Sequence, residues 1–162
     1  MELYFLRHGA AGKPSEWQGD DRLRPLTEKG TAQVRSVARA LVAAGLGVDA
    51  VVTSPLVRAR QTADIAAREL GLGDAVREDE RLAGGLDRRV LAGLLADLGL
   101  PRRVLLVGHE PDFSSTIGQL TGGSVICRKG GIARVDVADP ASLDGQLVWL
   151  APPRLLGGHH GG

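Results

Sequence analysis

The chain has 162 residues, a formal net charge of +1 at neutral pH and a single cysteine, Cys127. This length fits one domain with a sizeable core, and the balanced charge gives no reason to expect nucleic acid or anionic lipid as a partner. No apolar run is long enough to span a membrane, and no secretory signal is predicted. One cysteine excludes an internal disulfide and is typical of a cytoplasmic protein.

The first predicted strand ends in side chains that suit an anion. Residues 3–6 form a short apolar run that stops at Arg7-His8-Gly9. Such a run is typical of a buried strand in a parallel sheet, and ligands of open α/β sheets bind beyond the carboxyl ends of the strands. Arg7 offers a fork of donors, His8 can be a nucleophile toward phosphorus, and Gly9 lets a ligand approach the backbone. Taken alone, however, the tripeptide favours a simpler interpretation, a strand that ends at the surface.

Residues 10–25 carry two glycines and two prolines among charged side chains, which predicts a loop lying over the end of the first strand. We expect simple solvation of Arg22 and Arg24 in this loop. For Trp17 two roles are equally supported: a lid over the site, or packing beneath the loop. Thr27 is the expected N-cap of the next helix, whose apolar positions recur at helical spacing.

The rest of the chain alternates strands and helices. Residues 49–53 predict a second buried strand, and Ser54-Pro55 predicts a helix start with Ser54 as the cap. The later elements expected are an edge strand at 75–78, a helix at 86–98, the plainest buried strand at 104–107, a helix from Pro111, and strands at 132–137 and 147–150. This alternation predicts an α/β fold with a mostly parallel sheet. The domain is expected to span residues 1–151, and residues 152–162 are expected to be a disordered tail.

Three of these strands lead into residues that suit phosphate. The first strand ends at His8, the strand at 104–107 is followed by His109, and Arg58 lies in the first turn of the helix after the second strand. If the strands are neighbours, Arg7, Arg58 and His109 can each hold phosphoryl oxygens while His8 attacks in line. The attacking nitrogen must be unprotonated, so the other ring nitrogen of His8 should donate to an acceptor such as a backbone carbonyl.

Four segments match a known family in its own order. They are Leu6-Arg7-His8-Gly9, Pro25-Leu26-Thr27-Glu28-Lys29-Gly30, Ser54-Pro55-Leu56-Val57-Arg58-Ala59-Arg60-Gln61-Thr62-Ala63 and Val107-Gly108-His109-Glu110-Pro111. These segments resemble the histidine phosphatase superfamily, also called the phosphoglycerate-mutase-like fold, and they look most like the bacterial SixA-type phosphohistidine phosphatases. The resemblance implies a three-layer α/β/α sandwich, phosphorylation of His8, a phosphate pocket made by Arg7, Arg58 and His109, and no metal or other cofactor. Gly9 is assigned to substrate binding beside these three.

One departure from the family pattern bears on the substrate. Larger relatives carry an acidic residue two positions beyond an Arg-Leu pair, whereas here Arg81-Leu82 is followed by Ala83 and Gly84. The SixA-type members tend to lack this acid as well. We interpret the loss as a sign that the leaving group needs little help from protonation. Phosphohistidine fits this description, because its imidazole leaves more readily than an alkoxide. The carboxylates that could replace the acid are, in order of preference, Glu110, then Glu80 and Asp87, with a helix-dipole role for Glu110 equally supported.

Several other residues have plain structural interpretations. Ser54 is assigned to capping rather than catalysis, and Lys129 to a solvated turn rather than to the rim of the pocket. His159 and His160 are read as tail residues, since two histidines alone do not make a metal site.

The function predicted from the sequence is a phosphatase with a phosphohistidine intermediate, acting on a phosphohistidine protein or on a small phosphorylated molecule with a good leaving group. The alternatives are a small-molecule phosphomonoesterase, a mutase of the same superfamily, and a non-catalytic phosphate-binding module. The short chain and the missing acid argue against the mutase, and the retention of both histidines and both arginines argues against the binding module. A monomer is expected, because the sequence shows no apolar stripe large enough for a subunit interface.

Overall fold

A computed structural model describes residues 1–157 of the chain. In chain order its strands and α-helices are β1 (Glu2–Arg7), α1 (Glu28–Ala43), β2 (Ala50–Thr53), α2 (Val57–Glu69), β3 (Val76–Glu78), α3 (Arg88–Asp97), β4 (Arg103–Gly108), α4 (Asp112–Thr121), β5 (Ile132–Val137) and β6 (Gly145–Ala151). Short 3-10 helices cover Pro14–Glu16, Asp21–Leu23, Glu80–Leu82 and Pro153–Leu156. Within the described range, no helix combines the length and the apolar character needed to cross a membrane.

The strands form one mixed sheet in the order β3-β2-β4-β1-β5-β6. The first four strands of the chain run parallel to one another, whereas β5 is antiparallel to β1 and β6 is antiparallel to β5. Helices α1, α2 and α3 lie in the three crossovers that join β1 to β2, β2 to β3 and β3 to β4. The mostly parallel sheet predicted from the sequence is therefore confirmed, with β3 at one edge as expected.

Side chains of the central strands alternate between two cores. Leu3 and Phe5 of β1 belong to a cluster that includes side chains of α3 and α4, whereas Tyr4 and Leu6 belong to a cluster with α1 and α2. Because successive side chains of a strand point to opposite faces, this alternation requires apolar cover on both sides of the sheet. Two helices on each face provide that cover, so the predicted three-layer α/β/α sandwich is also confirmed.

The start of α1 packs directly on the chain that leaves β1. Thr27 is its N-cap as predicted, with its Oγ1 accepting a hydrogen bond from the Gly30 N–H at 3.0 Å. A Cβ at Gly30 would lie 1.9 Å from the carbonyl oxygen of Ala10, so only glycine permits this approach. The contact fixes both ends of the 10–25 loop beside the carboxyl end of β1.

The structure corrects the predicted start of the second helix. Helix α2 begins at Val57, its N-cap Leu56 makes no side-chain capping bond, and Ser54 lies outside the helix. The Ser54 Oγ instead accepts the Leu56 N–H at 3.2 Å and lies 2.7 Å from the Nε2 of His109. The pair Ser-Pro resembles a cap and first turn, but here its hydroxyl serves a contact with a distant strand.

The predicted tail also needs correction in its first part. Pro153–Leu156 forms a 3-10 helix in which Pro153 is buried, and Leu156 packs against the core cluster that includes α1 and α2. The expectation of disorder from residue 152 is therefore wrong for residues 152–157, because apolar side chains of this segment find cover on the domain. The remainder of the predicted tail, with His159 and His160, lies outside the described residues.

Candidate active site

Three strand ends meet at one level of the sheet. In the parallel register Arg7 of β1 pairs with Gly108 of β4, and Thr53 of β2 pairs with Val107 of β4. The residues that follow, His8, Ser54 and His109, consequently emerge side by side from the carboxyl edge. The convergence expected from the sequence is present in the structure.

His8 lies in the pocket at this edge of the sheet, and 5% of its surface is exposed. Its Nδ1 is 2.8 Å from the carbonyl oxygen of Gly9, which can only accept, so the Nδ1–H donates. The net effect of burial, the Gly9 hydrogen bond, His109, Arg58 and Arg7 lowers the pKa of His8 to about 3; burial is the largest cause, and only the bond to the Gly9 carbonyl opposes the shift. The ring is therefore neutral at pH 7, with its proton on Nδ1 and a free lone pair on Nε2.

His109 faces His8 across the site. The two ring centroids are 5.1 Å apart and the ring planes are inclined by 54°. The Nε2 of His109 lies 2.7 Å from the Ser54 Oγ. Burial lowers the pKa of His109 to about 4, with Arg58 and Arg7 contributing in the same direction. Two neutral imidazoles thus share a pocket with permanent cations.

Both predicted arginines line the pocket and are held from behind. Arg7 donates from Nη1 to the carbonyl oxygen of Cys127 at 2.9 Å. Arg58 donates from Nη1 to the carbonyl oxygen of Asp21 at 2.8 Å and from Nη2 to the Asp21 carboxylate at 3.0 Å. The Nε atom of each guanidinium is buried and has no hydrogen-bond partner among the described residues. Unpartnered buried donors are costly, so these two atoms indicate a place for an anionic acceptor.

The 10–25 loop supplies two pocket residues that sequence reasoning missed. Arg24 is only 6% exposed, although solvation was expected. It donates from Nη1 to the carbonyl oxygen of Ala11 at 2.8 Å and from Nε to Asp21 at 2.9 Å. Asp21, which was not considered, bridges Arg24 and Arg58, and its pKa is lowered chiefly by the bond to Arg24. No local sequence signal distinguishes either residue from an exposed loop charge.

The other two loop residues fall on the surface. Arg22 is partly exposed and pairs with Glu80 at 2.8 Å, in agreement with the expected solvation. Trp17 is 37% exposed and donates from its indole nitrogen to the carbonyl oxygen of Asp20 at 2.9 Å. Neither residue lines the pocket.

Of the three carboxylates proposed as substitute acids, only Glu110 lines the pocket. Its Oε1 also accepts the Ser114 N–H at 3.2 Å, so it serves the first turn of α4 as well. Glu80 is engaged by Arg22, and Asp87 is the N-cap of α3, accepting the Val90 N–H at 2.7 Å. Ala83 lines the pocket at the segment where larger relatives carry their acid.

Lys129 contributes to the pocket, whereas Gly9 does not. Lys129 is exposed but lines the pocket, where burial and the neighbouring arginines lower its pKa. Lys129 therefore lies in an exposed turn, as expected, and that turn also forms part of the pocket rim, the alternative weighed from the sequence. Gly9 does not line the pocket, because its N–H donates to the Thr62 Oγ1 at 3.2 Å and a Cβ there would lie 2.6 Å from Val34. Its contribution is close packing and the acceptor for the His8 ring.

The pocket has a volume of about 420 Å³ and an excess of positive charge. Four cationic side chains line it against two carboxylates; the charged residues are Arg7, Arg24, Arg58 and Lys129 with Asp21 and Glu110. Guanidinium groups suit the oxygens of a tetrahedral anion, and a neutral imidazole with a free lone pair suits attack on its central atom. Among residues 1–157, no group of three or more histidine, cysteine or acidic side chains is arranged to hold a metal ion.

Comparisons with known proteins agree with this chemistry. The model of the histidine phosphatase superfamily, branch 1, matches residues 3–84. An uncharacterised protein from Picosynechococcus sp. (strain PCC 7002) is 37% identical over 169 aligned residues, which cover 96% of this chain and 99% of that protein. The 2,3-bisphosphoglycerate-dependent phosphoglycerate mutase of Methylobacterium radiotolerans is 35% identical, but the match covers 59% of this chain and 45% of the mutase.

A solved structure reproduces the whole described fold. The protein histidine phosphatase SixA, complexed with tungstate, superposes with a TM-score of 0.85 at 26% sequence identity. The superposition covers 96% of this chain and 99% of SixA. The fold described above is therefore shared with SixA.

Proposed function

The chain belongs to the histidine phosphatase superfamily, and from that membership we propose that it is a phosphatase in which His8 carries the phosphoryl group between two half-reactions. The observation that carries the proposal is the state of the His8 ring, which donates from Nδ1 to Gly9 at 2.8 Å and keeps Nε2 unprotonated in a cationic pocket. A nucleophile that is neutral, oriented and desolvated needs no separate base for the first step.

The first half-reaction transfers the phosphoryl group to His8. The substrate phosphate is held by the guanidinium groups of Arg7 and Arg58 and by His109, which balance the charge on its oxygens. The Nε2 lone pair forms the new N–P bond while the bond from phosphorus to the leaving group breaks and the leaving group departs with that electron pair. The unpartnered Nε atoms of the two arginines support this placement of the phosphate.

The second half-reaction returns the enzyme to its starting state. A water molecule attacks phosphorus, the N–P bond breaks with its electrons returning to Nε2, and inorganic phosphate leaves with the water oxygen. The Nδ1–H of His8 keeps its hydrogen bond to the Gly9 carbonyl oxygen throughout, which holds the ring in one orientation in both steps.

We propose substrates with good leaving groups, foremost phosphohistidine in a protein. Ala83 and Gly84 occupy the segment where larger relatives place an acid, so little proton transfer to the leaving group is available there. An imidazole leaves phosphorus more readily than an alkoxide does. The likeness to SixA, named as a protein histidine phosphatase, supports the same class.

A small-molecule phosphomonoesterase is the second candidate. The observation that favours it is the carboxylate of Glu110, which lines the pocket and can serve as a proton donor to an alkoxide. A mutase is less well supported, because Ala83 and Gly84 stand where larger relatives carry an acid, so transfer to and from an alkoxide acceptor would lack that proton source.

A parallel screen separates these candidates. The protein is incubated with a phosphohistidine-containing phosphotransfer protein, with p-nitrophenyl phosphate and with a panel of alkyl phosphates, and release of phosphate is measured for each. The proposal expects kcat/KM to be highest for phosphohistidine and lowest for alkyl phosphates. Binding of all substrates without release of phosphate would identify a non-catalytic module instead.

A further inference from the structure

The hydroxyl of Ser54 is placed to control His109. Ser54 is fully buried, and its Oγ lies 2.7 Å from the Nε2 of His109 and 3.2 Å from the backbone nitrogen of Leu56. The pairing joins residues 55 positions apart in the chain. It also accounts for a serine that does not cap the helix that follows it.

The proton on the Ser54 hydroxyl can be assigned by elimination. The Leu56 N–H can only donate, so the Ser54 Oγ accepts there and uses one lone pair. Among the described residues, the only remaining partner of this oxygen is the Nε2 of His109. If Nε2 also carried a proton and donated it, the hydroxyl proton of a fully buried serine would have no acceptor. The satisfied arrangement has Ser54 donating to an unprotonated Nε2.

We propose that Ser54 is a positioning residue that fixes His109 as the Nδ1–H tautomer. With Nε2 occupied by Ser54, Nδ1 is the ring nitrogen of His109 that has no hydrogen-bond partner in the described part of the chain. The hydroxyl therefore converts His109 into a neutral donor toward whatever fills the pocket.

The tautomer matters because His109 is neutral. A charged imidazolium donates from both nitrogens and needs no selection, whereas a neutral ring in the wrong tautomer presents a lone pair to the anion. Burial and the neighbouring arginines keep the pKa of His109 at about 4, so the neutral form prevails at pH 7. The consequence for phosphate binding rests on the proposed function; the tautomer itself does not.

The tautomer is read directly by long-range ¹H–¹⁵N correlation NMR of the ¹⁵N-labelled protein at pH 7, with the His109 ring assigned by its loss in His109→Asn. We expect a protonated Nδ1 and an unprotonated Nε2 in the wild type. In Ser54→Ala the selection should disappear, so that the Nε2–H form becomes populated. Thr53→Val is the matched control, because Thr53 is an adjacent, fully buried hydroxyl that donates to the Ser54 carbonyl and makes no hydrogen bond to His109.

The activity readout accompanies the spectrum. Loss of a partner that orients a metal-bound histidine typically costs about 10- to 100-fold, and we expect a similar fall in kcat/KM for an aryl phosphate in Ser54→Ala, with Thr53→Val near the wild-type value. Ser54→Thr, which keeps the hydroxyl, should restore the Nδ1–H tautomer.

Two results would overturn the proposal: an Nε2–H tautomer in the wild type, or an unchanged Nδ1–H tautomer in Ser54→Ala. If Ser54→Ala does not fold, the wild-type spectrum alone still decides. A failure of the proposed function would look different, because it would appear as full activity in a His8 variant and leave the His109 tautomer untouched.

Discussion

The ring centroids of His8 and His109 lie 5.1 Å apart, with burial and two arginines holding both imidazoles in their neutral forms. A proton on either ring would face the other ring and the guanidinium groups of Arg7 and Arg58. Both rings are therefore neutral at pH 7, and protonating either of them at lower pH destabilises the folded protein.

The first prediction concerns stability against pH. The pKa values of His8 and His109 fall from 6.5 to about 3 and about 4 in the folded protein, so the unfolded chain binds more protons below pH 6.5. Stability should be fully present above pH 6.5 and decrease between pH 6.5 and 4.5, by up to about 1.4 kcal/mol per pH unit for each histidine. Urea unfolding at several pH values measures this slope.

His8→Asn is the matched variant for that slope. It removes one depressed pKa, so the loss of stability between pH 6.5 and 4.5 should become shallower than in the wild type. Ordinary carboxylates titrate mainly below this window and contribute little to the comparison. An identical slope in the two proteins would mean that His8 is charged or freely solvated in the folded state.

The second prediction tests His8 as the nucleophile. His8→Ala should lower turnover of an aryl phosphate by about 10³-fold or more, because it removes the unprotonated imidazole nitrogen that is proposed to attack phosphorus. The variant should also lose the acid-labile phosphoenzyme seen after rapid quenching of the wild type. Near-normal turnover, or a phosphoenzyme that persists in the variant, would remove His8 from the mechanism.

The third prediction concerns the fork geometry of Arg58. Its Nη1 and Nη2 atoms donate to Asp21, whereas its Nε has no hydrogen-bond partner among the described residues. Arg58→Lys keeps the charge but cannot satisfy Asp21 and a phosphate together. We expect a loss of about 2 kcal/mol in transition-state stabilisation, measured as kcat/KM.

Arg22→Lys provides the control for that substitution. Arg22 lies on the same side of the molecule in an exposed pair with Glu80 and does not line the pocket, so kcat/KM should stay near the wild-type value. Equal behaviour of the two lysine variants would reassign Arg58 from phosphate binding to support of the 10–25 loop.

The backbone frame of this site could be predicted from the sequence because its signals are local. Short apolar runs ending in Arg7-His8 and in Gly108-His109 mark buried strands and their carboxyl ends. Once the strands are placed in a parallel sheet, their ends must meet. Thr27 could be assigned as a cap for the same reason, since capping depends on the next three residues.

The contacts that hold the proposed catalytic side chains could not be predicted, because they depend on tertiary structure. Asp21 reaches Arg58 across 37 residues and Ser54 reaches His109 across 55, and nothing in the local pattern distinguishes these from a surface acid and a helix cap. Arg24 was misassigned to solvent because a charged loop residue is usually exposed. Its burial becomes visible only when the loop folds back over β1.

The fourth prediction is that activity needs no divalent metal. In the proposed mechanism Arg7, Arg58 and His109 neutralise the phosphate, a task that magnesium performs in many phosphoryl-transfer enzymes. Phosphatase activity should therefore be unchanged after dialysis against EDTA. Activity that disappears with EDTA and returns with added Mg²⁺ or Zn²⁺ would show that the arginines are not sufficient.

The fifth prediction follows from the missing acid and separates the substrate classes. Without a strong proton donor, rates across a series of phosphate esters should fall steeply as the pKa of the leaving group rises. If Glu110 supplies part of the proton, Glu110→Gln should be mild on an aryl phosphate and more damaging on an alkyl phosphate. A flat dependence on leaving-group pKa, with chemistry rate-limiting and Glu110→Gln harmless, would show that another acid is present.

The same reasoning allows the acid to be put back. Nothing lies within 4 Å of a Cβ built on Gly84, its φ is outside the left-handed region, and its neighbour Ala83 lines the pocket, so Gly84→Glu should be accommodated with its carboxyl near the leaving group. We expect the ratio of kcat/KM for alkyl phosphate to kcat/KM for aryl phosphate to rise by about 10²-fold, the low end of what a positioned general acid supplies. Gly84→Gln has the same shape without the acid and should leave the ratio unchanged. Equal ratios in the two variants would mean that proton donation at this segment does not limit the reaction, and the preference for phosphohistidine would then need a different physical basis.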